Sequence, residues 1–595
     1  MLTLECDYHS NRACTNVTYT IGAGLDITIV TGPVDREHSP TGNNGLTSMA
    51  GTGFASPTSR LVEESVKGPR NPLLAVIFMF AFSALGFASA ANVYITPDGS
   101  SQGACTTNPQ PPAWFNSSSN WGSNSSQIGP GTTVHLCGAI TTNLSVHGSG
   151  TNGHVIEVLA ESGASVQIPN GNGGCPITVN NNNYLLFDGG GAGGTNGILA
   201  VLNNGSGLAT QSLVSAFCNS SSSGNVEIRN WYLGPFYQHT DPNDNTASAD
   251  TSTNAFAANA LSGDLSIHDN LIIDAGTPVQ LLASISNNPT IEIYNNNMSR
   301  YNWAIGFAPA SGGAFTLKIH DNHFGGTGNW GTNDDKYHHN GIHFFAGDAI
   351  NATFIGVYNN LFDGDWGTCC VTAFIYEEFS NLANTYFFNN VFNQQGNDPT
   401  NPFPHLVLST QPGGIYNNTF QCGGGTSAGT QAIRTGAASS SMNIENNVFY
   451  SCNQFLTYNS TAVTGTVDYN VYMVQGSGGN SAWGLSGGGH NPPISGWQSA
   501  CSCDSHSNYF SSDTLNPDGT PTSSFPGLST GSNPGTNLTS IATGNLAALA
   551  SDTSAGDTHT PSPRPGSGNW SVGAFESDSS GGQPSPPTGL SAIVN

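Results

Sequence analysis

Positive charge is scarce in this chain: 11 Lys and Arg stand against 37 Asp and Glu in 595 residues, for a formal net charge of −26. Beyond Ala90 the basic residues are Arg229, Arg300, Lys318, Lys336, Arg434 and Arg564, against 30 acidic ones. A surface of that sign repels nucleic acid and anionic membranes and attracts divalent cations. Charge of either sign is also low, at 8% of residues. That argues against disorder, because disordered chains rely on solvating charge. No pair of CxxC motifs indicates a zinc site, and no second apolar run follows the one near residue 80.

Gly, Asn, Ser and Thr are abundant instead, and the length suits a solenoid, which grows along one axis without enlarging its core. Residues 67–90 read as a secretory signal peptide: Lys67 and Arg70, the run LLAVIFMFAFSALGF, then small residues Ala88-Ser89-Ala90 with Ala91 as the new N-terminus. A retained anchor is the alternative, but the run is short of the roughly 20 apolar residues a span needs. Residues 1–66 carry no clear periodicity, and translation starting near Met49 or Val66 would remove most or all of them. Ten cysteines follow the signal, an even number that permits disulfides in an exported chain. Cys105–Cys137 and Cys175–Cys218 are plausible local pairs, and Cys369-Cys370 would staple a long turn.

A short phrase recurs along the chain. It reads VEIRNWYL at 226, LSIHDNLI at 265, IEIYNNNM at 291 and LKIHDNHF at 317, and returns until VDYNVY at 467. One aligned Asn per phrase gives Asn230, Asn270, Asn296, Asn322, Asn360, Asn390, Asn418, Asn447 and Asn470, spaced by 23 to 40 residues. Apolar and polar residues alternate within each phrase, which is the strand period, and a 20–50-residue repeat means a stacked architecture. Asn tolerates the left-handed turn that ends each strand, and its amide stacked on the next coil can form a ladder. The apolar residue two positions later is expected to stack in the interior.

These NNxF phrases resemble those of secreted right-handed parallel β-helix proteins of the pectate-lyase-like superfamily. The opening ANVYITPDGS, the segments PGTTVHLCG and VIEVLAESGASVQIP, and the tail RPGSGNWSVGAFES carry the likeness further. The resemblance covers most of residues 91–577 and implies an all-β, right-handed parallel β-helix with an Asn ladder and a loop-rich C-terminal region over 476–560. Residues 578–595 read as a Pro/Gly/Ser linker and stub. Function is less determined, because this architecture hosts lyases, hydrolases, adhesins and epimerases.

The densest ionisable cluster, DDKYHHNGIHFF from Asp334 to Phe345, occupies one of the two longest coils. Strand 341–348 is expected to stack between 303–310 and 372–379, bringing His343 near Trp303, Glu377 or Glu378, with Arg300 at the edge. A lyase acting on uronic-acid polymers needs a base, for which Lys336, His339 and His343 are the leading candidates beside Tyr337 and His338. Ca²⁺ held by Asp334, Asp335, Asp363 or Asp365 would neutralise the substrate carboxylate. Glycoside hydrolysis would use two carboxyl groups, from Asp334 or Asp335 with Glu377 or Glu378. HHNGIH resembles the NTDGI-type phrase of polygalacturonases, but Asn340 replaces the carboxylate and an amide cannot act as general acid. A metal held by His339 and His343, four residues apart, is a third arrangement. Trp303, Trp330, Tyr337 and Trp366 offer flat surfaces for sugar rings, with Arg300 as a further contact. The expectation is a secreted polysaccharide-degrading protein, lyase ahead of hydrolase, with no organic cofactor. The rival is a non-catalytic glycan-binding, adhesive or structural surface protein.

Overall fold

The computed structural model describes residues 91–576 except 170–174, 180, 192–196, 203–213, 220–221, 237–252, 310, 329, 331–338, 346–350, 368–370, 379–381, 383, 395–402, 410–412, 424–429, 437, 477–479, 487 and 556–558, together with the backbone of three strands near the N-terminus. Those three, Thr3–Cys6, Asn16–Ile21 and Leu25–Val30, form an antiparallel sheet in a separate unit, Met1–Leu85.

In the second unit the described residues from Asn92 to Phe510 form a right-handed parallel β-helix. Three long sheets, here A, B and C, each gain one strand per coil, in chain order and in parallel, save for the antiparallel strand Gly488–His490 that ends sheet C. One coil shows the plan: Phe315–His320 lies in sheet A, His323–Phe324 in sheet B and His339–Phe344 in sheet C. The right-handed sense is the one that twisted strands favour when each returns to a parallel neighbour. Side chains in Phe315–His320 alternate between buried and half-buried, so Phe315, Leu317 and Ile319 face the core while Thr316, Lys318 and His320 face out.

At the turn from sheet A to sheet B, two tasks assigned above to one Asn are divided between neighbours. The first residue of each doublet takes the left-handed backbone: Asp269, Asn295, Asp321, Asn359, Asn389, Asn417, Asn446 and Tyr469 all have φ between 51° and 59°. The second residue turns inward and builds the ladder. Asn360 Nδ2 donates to Asn390 Oδ1 (3.0 Å) and to the Ile319 carbonyl of the coil before (2.9 Å), while its backbone N–H donates to the same Oδ1 (3.1 Å). The pattern runs from Asn270 through Asn296, Asn322, Asn360, Asn390, Asn418 and Asn447 to Asn470. Asn230 falls outside it. Its own φ is 62°, its amide bonds Asp188, and the ladder position is Trp231, whose N–H donates to Asn270 Oδ1. In VEIRNWYL the Asn stands one position earlier than the ladder Asn of the other phrases, at the left-handed turn, and Trp231 follows it. At the other end Asn470 Nδ2 meets the buried carboxylate of Asp504, which also accepts from Tyr472, Trp497 and Ser507.

Beneath the ladder the expected interior stack is present. Phe324, Phe362, Phe392, Phe420, Phe449 and Tyr472 lie ring over ring with centroids 4.3 to 5.1 Å apart. Disulfides join Cys105 to Cys137 and Cys175 to Cys218 as expected, and also Cys422 to Cys452 and Cys501 to Cys503. Cys369 and Cys370 lie outside the described residues.

The C-terminal segment doubles back over the outer face of sheet A. Leu538, Leu549 and Trp570 pack on Tyr358, Phe388 and Tyr416. The outward amides of the left-handed asparagines hold its backbone: Asn389 donates to the Ser551 carbonyl (2.9 Å), Asn417 to that of Ser571 (2.9 Å) and Asn446 to that of Thr536 (2.8 Å). Buried Arg564 ties Asn389 to Glu576.

Removing one rung leaves buried amide, N–H and carbonyl groups without partners, at about 1–3 kcal/mol each. Asn390→Ala should therefore lower stability by about 2 kcal/mol or more, whereas Ala at exposed Asn295 should cost far less. Equal midpoints for the two variants in urea unfolding would rule out a ladder that supports the fold.

Candidate functional site

The expected stacking in sheet C holds, in a defined register. Ile342 lies between Ile305 and Ile375, on the core side, and His343 lies between Gly306 and Tyr376, on the opposite side. Because alternate strand residues point to opposite faces, this register decides which polar groups meet outside. Phe344 and Glu377 share the core side, leaving Glu378 outward.

On the outer face the rings converge. Trp303 stands edge-on to His343 (centroids 4.6 Å apart, interplanar angle 88°), with Phe345 at 5.0 Å and Tyr376 at 5.1 Å. Gly306, opposite His343, lies beside the Trp303 and Phe345 rings. His343 Nε2 is 3.2 Å from Glu378 Oε2. The histidine itself is only 2% exposed, whereas Phe345 and Tyr376 are half-buried and Glu378 is exposed. Further along the same row the register runs Tyr376, Val407, Arg434, Thr457, and Arg434 is exposed. Burial raises the Tyr376 phenol above its ordinary value and the Glu378 charge adds to this, against an opposing pull from Arg434. The phenol therefore keeps its proton at neutral pH.

Several expected site residues are placed elsewhere. Glu377 is buried, and its carboxylate accepts from the Ser409 backbone N–H (3.0 Å); its expected partners Asp334 and Asp335 lie outside the described residues. His339 is 1% exposed, with Nδ1 2.5 Å from Asn302 Oδ1. Arg300 belongs to sheet B, with its guanidinium spanning both oxygens of Asp274 (2.8 and 2.7 Å), and does not edge the His343 face. Trp366 is fully buried against Phe374 and Tyr301, donating to the Asp363 carbonyl, and Trp330 is 2% exposed. Neither offers a platform to a sugar, because both fill space inside the coil wall. Asp363 pairs with His323, and Asp365 accepts from the Gly367 N–H closing its own turn. Those carboxylates are not gathered into a calcium cage, and among the described residues no group of three or more His, Cys, Asp or Glu is arranged to hold a metal. Asp334, Asp335, Lys336, Tyr337 and His338 lie outside the described residues.

Sequence reasoning passed over Phe345, Tyr376 and Arg434. The signal available was register: continuing the stack from His343 across the next strands brings Tyr376 and Arg434 into one outward row.

A second outward row crosses sheet A. His268, Tyr294, His320, Tyr358 and Phe388 stack with centroids 4.4 to 5.0 Å apart and planes within 7°. Acidic side chains flank it: His268 bonds Asp269 and Glu227, and His320 bonds Asp321. These residues brace the sheet, and Lys318 beside them pairs with Glu292 of the coil before.

The fold places the chain among right-handed parallel β-helix proteins. No family model matches it, and neither a curated protein nor a solved structure does. Among the described residues no helix is long and apolar enough to cross a membrane.

Burial opposes the charged form of His268, but the bonds from Glu227 and Asp269 outweigh it and raise its pKa above the ordinary 6.5. The bond to His268 lowers that of Glu227 below 4.5, burial opposing and Arg229 assisting. A raised histidine stabilises below its unfolded value and loses that contribution as pH rises through the folded one. A depressed carboxylate stabilises above its unfolded value and loses it as pH falls. This contact should therefore stabilise most between pH 4.5 and 6.5. His268→Gln should flatten the decline in melting temperature on the alkaline side; an unchanged slope between pH 6 and 8, around the ordinary histidine value of about 6.5, would contradict it.

Proposed function

We propose that this chain is an extracellular, carbohydrate-active β-helix protein of the pectate-lyase-like kind that binds an acidic polysaccharide across the outer face of sheet C. The observation that carries the reading is the patch of Phe345, Tyr376 and Glu378 over buried His343, with Arg434 exposed in the same row. Half-exposed rings beside polar and charged groups suit a sugar, whose C–H face stacks while its hydroxyls are hydrogen-bonded. Arg434 adds a planar guanidinium able to hold a uronate carboxylate with two parallel bonds. In so acidic a chain, that local cation offsets repulsion of the substrate. Export is supported by the four disulfides, which persist in oxidising compartments.

Binding is favoured over cleavage because His343 lies beneath the patch with a nitrogen turned to Glu378, where it positions that carboxylate and does not face a sugar carbon. The second reading, β-elimination of a uronic-acid polymer, draws on Arg434 in the same outward row, two strands from Tyr376: a cation to neutralise the carboxylate, the exposed Glu378 carboxylate to take the C5 proton, and the protonated phenol to give its proton to the departing oxygen. Hydrolysis gains less, since Glu377 is buried and only Glu378 of that pair faces outward.

Affinity electrophoresis of the full chain against plant and bacterial polysaccharides, with absorbance of unsaturated uronates read in parallel, separates these readings. A polyuronate should retard the protein, and Arg434→Ala and Tyr376→Ala should each weaken retention about tenfold, near 1.4 kcal/mol. Unsaturated products abolished by Tyr376→Phe would make the protein a lyase. No retardation by any polysaccharide would sink the proposal.

A further inference from the structure

A second site lies on another flank, between the outer face of sheet A and the returning C-terminal segment. It is an open cavity of about 240 Å³. Thr353, Phe354, Asn384 and Tyr386 form the sheet side; Thr543, Asn545 and Leu546 form the opposite wall. The walls come from parts of the chain about 160 residues apart, and both are fixed. Leu538 and Leu549 bury against Tyr358, Phe388 and Tyr416, and Asn389 holds the Ser551 carbonyl. On the sheet side the Phe354 and Tyr386 rings are stacked, 5.6 Å apart with planes 19° from parallel. Gly356 makes this possible: a Cβ there would sit 2.5 Å from the Phe354 ring, so glycine lets the ring lie flat across the strand.

The lining chemistry is selective. Tyr386 is half-buried and presents an aromatic surface, and Thr353, Asn384, Thr543 and Asn545 are exposed; the Thr353 hydroxyl donates to the Phe315 carbonyl and the Asn384 amide to that of Ala352, which leaves their oxygens to accept. No lining residue carries a formal charge. Carboxamides donate and accept at once and so match the adjacent hydroxyls of a pyranose, whose C–H face stacks on an aromatic ring. A uronate would find no cation here, and a purely apolar ligand would leave the amides undersatisfied. The volume falls below the roughly 300–1,000 Å³ of pockets for drug-sized ligands, which limits the occupant to a single ring or a chain end.

We infer that this cleft is a binding site for a neutral monosaccharide unit, separate from the sheet C patch and differing from it in sugar class. It does not depend on the reading of that patch. Saturation-transfer NMR on the full chain, with methyl glycosides of glucose, galactose and mannose against glucuronate, tests it. At least one neutral glycoside should bind and glucuronate should not. Asn545→Ala and Thr543→Ala, both at exposed positions, should each weaken binding about tenfold, with unchanged melting temperature, while Arg434→Ala should leave it intact. The inference is overturned if no neutral glycoside binds, if glucuronate binds equally, or if neither cleft variant matters. Loss in Arg434→Ala alone would also overturn it, by moving the sugar to sheet C.

Discussion

A carboxamide buried without partners costs about 1–3 kcal/mol, and this protein stacks such groups along its interior from Asn270 to Asn470. It can do so because each amide is saturated: the oxygen accepts from the amide and the backbone N–H of the neighbouring Asn, and the nitrogen also donates to a main-chain carbonyl. Each rung thus sets the distance and register between coils, and with them the Phe stack beneath and the outward rows on sheets A and C. Every surface feature described above inherits its spacing from this interior chain of hydrogen bonds.

The role of histidine follows from the lack of Lys and Arg. His135 pairs with Glu161, His268 with Glu227 and Asp269, His320 with Asp321, His343 with Glu378, His506 with Asp468 and His559 with Asp552. Imidazole serves this chain as the usual partner of a carboxylate, and its flat ring also enters the aromatic stacks. His343 is one of this series. Its contact with Glu378 is the arrangement the protein uses in places with no claim to chemistry, which is why the exposed groups around it carry the weight of the functional reading.

Much of the fold was legible because its signals are local and repeated. Strand alternation, the apolar residue two positions after each Asn and the neighbours of strand 341–348 could all be read from phrases of eight residues. The division of labour within the Asn doublet was not. Where two asparagines occur in sequence, either could face inward; the lone Asn230 takes the turn, whereas the lone Asn270, Asn322 and Asn470 take the ladder beside Asp269, Asp321 and Tyr469. Side-chain direction within the candidate site was also hidden. Trp366 and Glu377 look no different in sequence from Trp303 and Glu378, and one step of register sends each inward or outward. Arg300 was drawn away by Asp274 on the preceding coil. The docking of the C-terminal segment on Asn389, Asn417 and Asn446 joins residues 90 to 162 positions apart, and no short pattern records it.

The ladder also has a direction. Every rung donates toward the C-terminus, so the series resembles a sentence that can be lengthened in the middle but must close on a particular word. Between Asn270 and Asn470 each junction is chemically the same, and a duplicated coil would find donors and acceptors already matched on both sides. After Asn470 the next group is a carboxylate, Asp504, already accepting from Tyr472, Trp497 and Ser507. It receives the last amide and passes nothing on. A solenoid of this kind is free to change length by internal duplication, while its terminus stays closed to a further rung and to end-on extension by another copy.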